Sequence, residues 1–120
     1  MLIAFWIVNG LLAIVFVGAG LMKVIRPRAA LADSGMGYVE DFSSTQVKLI
    51  GFVEILGAIG LVLPMLLDIA PVLTPVAAVA LAATMFVAAS VHMRRKESPA
   101  APLVLGSIAV LSAILGFLIL

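Results

Sequence analysis

Four long apolar stretches dominate the pattern of hydrophobic and polar positions along the chain. They cover approximately residues 2–25, 45–66, 71–93 and 100–120, and they are separated by two polar gaps and one short turn around Asp68. Each is close to the ~20 residues that an α-helix needs to cross a hydrocarbon core of ~30 Å. The pattern therefore predicts an all-α membrane four-helix bundle, with residues 1–120 forming a single integral membrane domain.

Composition leads to the same class of protein. Hydrophobic residues make up 65% of the chain and charged residues only 11%, which leaves too little polar surface for a soluble domain of this size. The first stretch lacks a preceding basic segment and is too long for the apolar part of a secretory signal, so we expect it to be a membrane span. The expected surroundings are a lipid bilayer, in a multi-pass arrangement in the bacterial inner or plasma membrane, with no nucleic-acid partner.

The basic residues predict the orientation of the bundle. All of them lie beside the two polar gaps: Lys23, Arg26, Arg28, Lys48, Arg94, Arg95 and Lys96. Cytoplasmic connections of membrane proteins collect Lys and Arg. We therefore expect both gaps on the cytoplasmic side and both chain termini on the extracytoplasmic side. These residues could also hold anionic lipid headgroups, although orientation alone would explain them.

Helix ends are marked by proline and by capping residues. Pro27 disfavours helical geometry in the residue before it and should end the first helix. Ser43 and Gln46 have the spacing of a capping box, in which each side chain bonds the backbone amide of the other residue, and should begin the second helix.

The segment 27–43 between these two helices is long for so small a protein. It begins like a short helix closed by Gly35 and continues with apolar residues among acidic ones. Such loops are usually functional or disordered, and the apolar content favours order. We expect an interfacial lid whose apolar side chains enter the membrane interface: Met36, Tyr38, Val39 and Phe42.

Glu54 is the most informative polar residue, because it lies about 12–15 Å along the second helix from its cap. Acidic residues at such depth usually face the bundle interior and often mark a substrate or proton site. Gly51 and Ala58 lie on the same helix face and are small enough for a neighbouring helix to approach. We therefore expect Glu54 to point at another helix.

Three basic or titratable residues lie at a similar depth and complete the candidate ligand-binding or polar cluster of Lys23, Lys48, Glu54 and His92. Lys48 is six residues from Glu54, about 120° around the helix, so we favour an interhelical partner, Lys23 or His92. The alternative is purely structural: Glu54 and Lys23 fix the helix register, and His92 marks the interface. Asn9 is expected mainly to pack, with a cross-helix hydrogen bond as a further role.

Residue counts exclude several chemistries within this chain. With no cysteine, a thiol relay, iron–sulfur ligation and c-type haem attachment are absent. A single histidine rules out bis-histidine haem in a monomer, and the scattered methionines predict no metal site. No autonomous catalytic or cofactor motif is present, so whether the protein is an enzyme stays open.

Three segments resemble the DoxX-like family of small four-helix membrane proteins: Ala19–Lys23 with Arg26 and Pro27, Val47–Pro64, and Ala89–Arg95. The most specific part is the second-helix pattern Gly51, Glu54, Gly57 and Gly60. The family takes its name from a subunit of an archaeal thiosulfate–quinone oxidoreductase, so the resemblance implies quinone-linked redox chemistry at the membrane. It also implies that Lys23, Lys48, Glu54 and His92 occupy the family's polar positions.

Three functions follow as hypotheses. The first is a subunit that binds an apolar small molecule, such as a quinone or a lipid, in the helical bundle, with a redox partner subunit where electrons are transferred. The second is a structural or assembly protein that packs as a homo-oligomer or with other membrane subunits. The third is a small proton-coupled transporter that needs oligomerisation to enclose a path.

Overall fold

The chain folds into five α-helices and one 3-10 helix. The computed structural model describes residues 1–120, and its elements are α1 (Leu2–Ile25), α2 (Arg28–Asp33), a 3-10 helix (Gly37–Asp41), α3 (Ser44–Leu66), α4 (Leu73–Arg94) and α5 (Ala100–Ile119). The four long helices α1, α3, α4 and α5 are each long and apolar enough to cross a membrane. The predicted all-α, four-span bundle is therefore confirmed.

The long helices form a closed ring in chain order. Helix α1 packs on α3, α3 on α4, α4 on α5, and α5 returns to α1. The core at the centre combines a few large side chains, including Phe16, Leu61 and Leu81, with small ones such as Ala78 and Ala109. Because lipid is as apolar as these side chains, close packing and interhelical hydrogen bonds stabilise such a bundle more than hydrophobic burial does.

Helices α1 and α3 approach each other closely at Gly20 and Gly51. A Cβ atom added to Gly20 would lie 2.5 Å from the carbonyl oxygen of Gly51, and one added to Gly51 would lie 2.6 Å from that of Gly20. Only glycine allows this contact at both positions. A Cβ on Gly51 would also lie 2.7 Å from the Cβ of Lys23, so Lys23 packs over Gly51 and its side chain reaches Glu54, one turn along α3.

At the end of the bundle that carries the chain termini, Asn9 links three helices. Its side-chain amide donates to the carbonyl oxygen of Leu61 in α3 at 2.7 Å, and its Oδ1 accepts from the hydroxyl of Ser112 in α5 at 2.6 Å. Both polar side chains are fully buried. The cross-helix bonding considered for Asn9 is therefore present, and it holds the end opposite the lid.

Helix ends follow the sequence signals. Helix α1 ends at Ile25, and Arg26 and Pro27 are extended. The capping box is confirmed: Ser43 Oγ accepts from the Gln46 amide, and the Gln46 side chain accepts from the Ser43 amide.

The lid, residues 27–43, is ordered and folds against the bundle. Helix α2 is followed by Gly35 at φ +100° and then by the 3-10 helix. Val39 does not enter the membrane interface as expected: it is fully buried against Leu31 of α2 and Val47 of α3. The lid thus has a small core of its own, which holds it on the end of α1 and α3.

Candidate ligand cavity and its polar cluster

An apolar cavity of about 560 Å³ lies between the four long helices and beneath the lid. Seventeen residues line it, of which twelve are hydrophobic. They are Ala19 and Lys23 of α1; Met36, Tyr38 and Phe42 of the lid; Ile50 and Glu54 of α3; Ala83, Thr84, Met85, Val87, Ala88, Val91 and His92 of α4; and Ala101, Pro102 and Leu105 of α5. Every long helix therefore contributes to its wall.

A buried ion pair lies in this wall. Lys23 Nζ is 2.5 Å from Glu54 Oε1, and the two side chains are only 7% and 2% exposed. The pair joins α1 to α3. The sequence had favoured such an interhelical partner for Glu54 over Lys48 of its own helix. Removing one partner of such a pair would leave an uncompensated charge in a low-dielectric environment, so each residue depends on the other.

Tyr38 of the lid lies over the ion pair and beside His92. Lys23 Nζ is 5.9 Å from the centre of the Tyr38 ring, within the range of a cation–π contact. The Tyr38 and His92 rings are 5.0 Å apart and tilted by 57°. One aromatic side chain of the lid thus touches the polar residues of both α1 and α4.

His92 carries the one buried side-chain nitrogen that has no hydrogen-bond partner. Its Nδ1 is buried and unpaired, and the nearest carboxylate oxygen, Oε1 of Glu97, is 3.7 Å away, which is too far for a hydrogen bond. Buried polar atoms in folded proteins nearly always have a partner. His92 is therefore a residue of the cavity wall that carries an unpaired polar atom on its Glu97 side.

The structure brings together three of the four expected cluster residues. Lys23, Glu54 and His92 all line the cavity, although Glu54 pairs with Lys23 and not with His92. Lys48 is exposed and does not line it. Its position about 120° from Glu54 around α3 accounts for this. Sequence reasoning expected Tyr38 only to dip into the interface, whereas it contacts the cluster directly.

The cavity opens sideways along α4. Among its lining residues, Ala83 and Val87 are exposed, and Val87 retains 64% of its surface. In a membrane these two positions would face the lipid tails. The geometry therefore offers access from the bilayer, while the lid covers the end of the bundle.

Arg95 fastens the lid to the connection between α4 and α5. Its guanidinium donates to Asp41 Oδ1 at 2.8 Å and to Glu97 Oε1 at 3.0 Å, and lies 3.4 Å from Glu40 Oε1. Hydrogen bonding to Asp41, and then to Glu97, raises the pKa of Arg95 above its ordinary value. Glu40 and Asp41 belong to the 3-10 helix of the lid, so this group of charges, here called the Arg95 latch, holds the lid closed over the cavity.

Comparison with known proteins gives one match. The sequence pattern of the DoxX-like family matches residues 7–115, which is nearly the whole chain and includes every residue of the cavity wall. No curated protein and no solved structure matches.

Proposed function

Because the chain belongs to the DoxX-like family and has four helices able to span a membrane, we propose that it is a membrane subunit that binds an apolar small molecule. The ligand is a quinone or a lipid, held in the cavity between the helices. The observation that carries this proposal is the cavity itself, apolar over most of its wall and polar at Lys23, Tyr38 and His92. Its volume of about 560 Å³ lies within the ~300–1,000 Å³ of typical ligand sites.

The polar residues of the wall define the chemistry of the ligand. Lys23 has three N–H donors and gives one to Glu54. The Tyr38 hydroxyl and the His92 imidazole add further groups able to bond an oxygen atom. A molecule with an apolar body and an acceptor oxygen at one end fits this arrangement. A quinone offers a ring carbonyl, and a lipid offers an ester or headgroup oxygen.

A bound quinone would supply the capacity to accept or donate electrons. The residues of this chain would hold it: Lys23 would place a positive charge beside a carbonyl oxygen, and the His92 imidazole could give or take a proton. Since the sequence contains no cysteine and no haem or flavin motif, electrons would come from or go to a partner subunit.

The proposed setting is a bacterial plasma membrane, with the lid on the cytoplasmic side and both termini outside. The clustering of Lys and Arg at the lid end of the bundle supports this orientation. The exposed positions Ala83 and Val87 support access by an apolar ligand from the bilayer and not from water.

The test is native mass spectrometry of the gently solubilised protein, before and after lipid extraction. Glu54→Gln and His92→Leu should reduce the amount of bound quinone or lipid. His92→Leu is the cleaner variant, because Nδ1 has no partner in the protein to lose. Ser90→Ala is the matched control, since Ser90 is exposed on the same helix and does not line the cavity.

Equal ligand occupancy in the wild type, Glu54→Gln and His92→Leu would contradict the proposal. A wild-type protein that carries no ligand, and whose oligomer size changes with Glu54→Gln, would favour the structural or assembly hypothesis instead. A loss of bound ligand in His92→Leu is assigned to the cavity only if Ser90→Ala still carries as much ligand as the wild type.

The glycines of α3 face other helices of the same bundle. A Cβ on Gly51 would meet Gly20, one on Gly57 would meet Leu81 at 2.6 Å, and one on Gly60 would meet Ala77 at 2.8 Å. These small residues serve contacts within the bundle. They are therefore not a free surface on which a second subunit could pack.

A further inference from the structure

A second concavity, of about 300 Å³, lies at the lid end between the end of α1 and the start of α3. We call it the basic pocket. It is lined by Lys23, Ile25, Arg26, Pro27, Arg28, Ser44, Val47 and Lys48. Half of these residues are basic and none is acidic. Lys23 is the one residue that the basic pocket shares with the apolar cavity.

Three of its four positive charges have no carboxylate partner. Lys23 pairs with Glu54, but Arg26, Arg28 and Lys48 form no ion pair. The carboxylates nearby are engaged elsewhere, because Glu40, Asp41 and Glu97 all bond Arg95. The remaining acid of the lid, Asp33, forms no ion pair and does not line the pocket. The basic pocket therefore carries uncompensated positive charge.

Backbone geometry brings these charges together. Arg26 and Pro27 are extended, with ψ of 145° and 150°, so the chain turns away from the axis of α1 and carries Arg26 and Arg28 to the start of α3. Arg28 Nη1 donates to the carbonyl oxygen of Phe42 at 2.7 Å, which holds that guanidinium beside the first turn of α3. The positive end of the α3 dipole points to the same place.

The amide of Ser44 adds a donor. It lies in the first turn of α3, where backbone amides have no partner within the helix, and it bonds no other group of the protein. Ser44 lines the basic pocket. Backbone amides at a helix N-terminus together with arginine side chains are a recurrent arrangement for binding phosphate.

We propose that the basic pocket binds a phosphate group, either in the headgroup of an anionic phospholipid or as free phosphate. Its position at the ends of two membrane-spanning helices is the depth at which lipid headgroups lie. Membrane orientation requires only that enough positive charges lie on one side. It does not require that three unpaired cations and a free backbone amide surround one concave site. A phosphate ligand explains why these groups lie together.

The experiment compares two lipids that share their acyl chains. Purified protein in detergent is titrated with dioleoylphosphatidylglycerol or dioleoylphosphatidylcholine, and bound lipid is counted by native mass spectrometry. In detergent, a change of charge cannot act through membrane orientation. We expect wild type to prefer phosphatidylglycerol, and Arg26→Gln/Lys48→Gln to weaken its binding roughly 25-fold, at about fivefold per cation.

The matched control is Arg94→Gln/Lys96→Gln. It removes two exposed cations from the same end of the bundle, neither of which forms an ion pair or lines the basic pocket. We expect less than about a threefold effect, because charges outside the pocket act only through screened solvent. If both double variants weaken phosphatidylglycerol binding equally, the preference is a general surface potential and the proposal is wrong.

Inorganic phosphate distinguishes the two sources of the ligand. Phosphate that competes with phosphatidylglycerol, and that binds the wild type but not Arg26→Gln/Lys48→Gln, would assign the pocket to free phosphate. If phosphatidylglycerol binds the wild type and inorganic phosphate does not displace it, the pocket binds a lipid headgroup. No preference for either over phosphatidylcholine would overturn the proposal. His92→Leu alters the apolar cavity only, so it should leave this preference unchanged even if ligand binding in the cavity fails.

Discussion

Neutralising one member of the Lys23–Glu54 pair should destabilise the bundle far more than neutralising both. The side chains are 7% and 2% exposed and their charged atoms are 2.5 Å apart, so Lys23→Met leaves a buried carboxylate and Glu54→Leu leaves a buried ammonium. Loss of one partner of a buried pair costs about 3–5 kcal/mol. Replacement of both by apolar residues of similar volume is often neutral or stabilising.

A double-mutant cycle measures this difference. We expect each single variant to lower the free energy of unfolding by about 3 kcal/mol or more. The Lys23→Met/Glu54→Leu variant should lie within about 1.5 kcal/mol of wild type. The resulting coupling would exceed the ~2 kcal/mol upper limit of neutral interhelical hydrogen bonds in membranes, so the cycle separates an ion pair from an ordinary polar contact.

The assay is reversible unfolding from bicelles by sodium dodecyl sulfate, followed by circular dichroism. Arg94→Met is the control, because Arg94 is an exposed cation without an ion pair at the same end of the bundle, and it should change stability by less than about 0.5 kcal/mol. If the single variants cost under about 1 kcal/mol, or if the double variant costs the sum of the two, the buried ion pair is not what stabilises this contact.

Three further predictions concern helix contacts and the lid. Gly51→Ala should destabilise the bundle by about 1–3 kcal/mol, since its Cβ would lie 2.6 Å from a carbonyl oxygen of α1; Gly10→Ala, with no atom within 4 Å, should be neutral or slightly stabilising in the same unfolding assay. Arg95→Gln should speed amide hydrogen exchange in the 3-10 helix of the lid and leave α5 unchanged, because the Arg95 latch would be lost; equal exchange in both proteins would refute the latch. Asn9→Leu should lower the free energy of unfolding by about 1–2 kcal/mol, and Ser112→Ala should lower it less, because Asn9 bonds two helices and Ser112 bonds only Asn9. A larger loss of stability in Ser112→Ala would contradict this arrangement.

The fold was predictable because its determinants are local in sequence. Apolar stretches of membrane-spanning length, Pro27, and the spacing of Ser43 and Gln46 each act within a few residues, and they place the helices correctly. Glu54 was also predictable as an inward-facing residue. Small residues one turn away on its own helix showed where a neighbour could approach.

Contacts between distant segments could not be predicted in the same way. Arg95 bonds Asp41 across 54 residues, and Val39 is buried by Leu31 and Val47; neither contact has a local sequence signature. Lys48 was grouped with Glu54 by depth and by the family resemblance, although its position about 120° around α3 already disfavoured a direct pair, and it does not line the cavity. The sequence left two interhelical partners for Glu54, Lys23 and His92, and only the packing of the helices selects Lys23.

Lys23 is the single side chain common to the apolar cavity and the basic pocket, and this makes the two proposed sites thermodynamically linked. An anion in the basic pocket would change the electrostatic potential at the ammonium group that faces the cavity. If the bound anion changes the affinity of the cavity for its ligand by some factor, the bound ligand must change the affinity of the basic pocket for the anion by the same factor. The affinity for an apolar ligand would then follow the anionic lipid content of the surrounding leaflet, and the protein would respond to the composition of its own membrane.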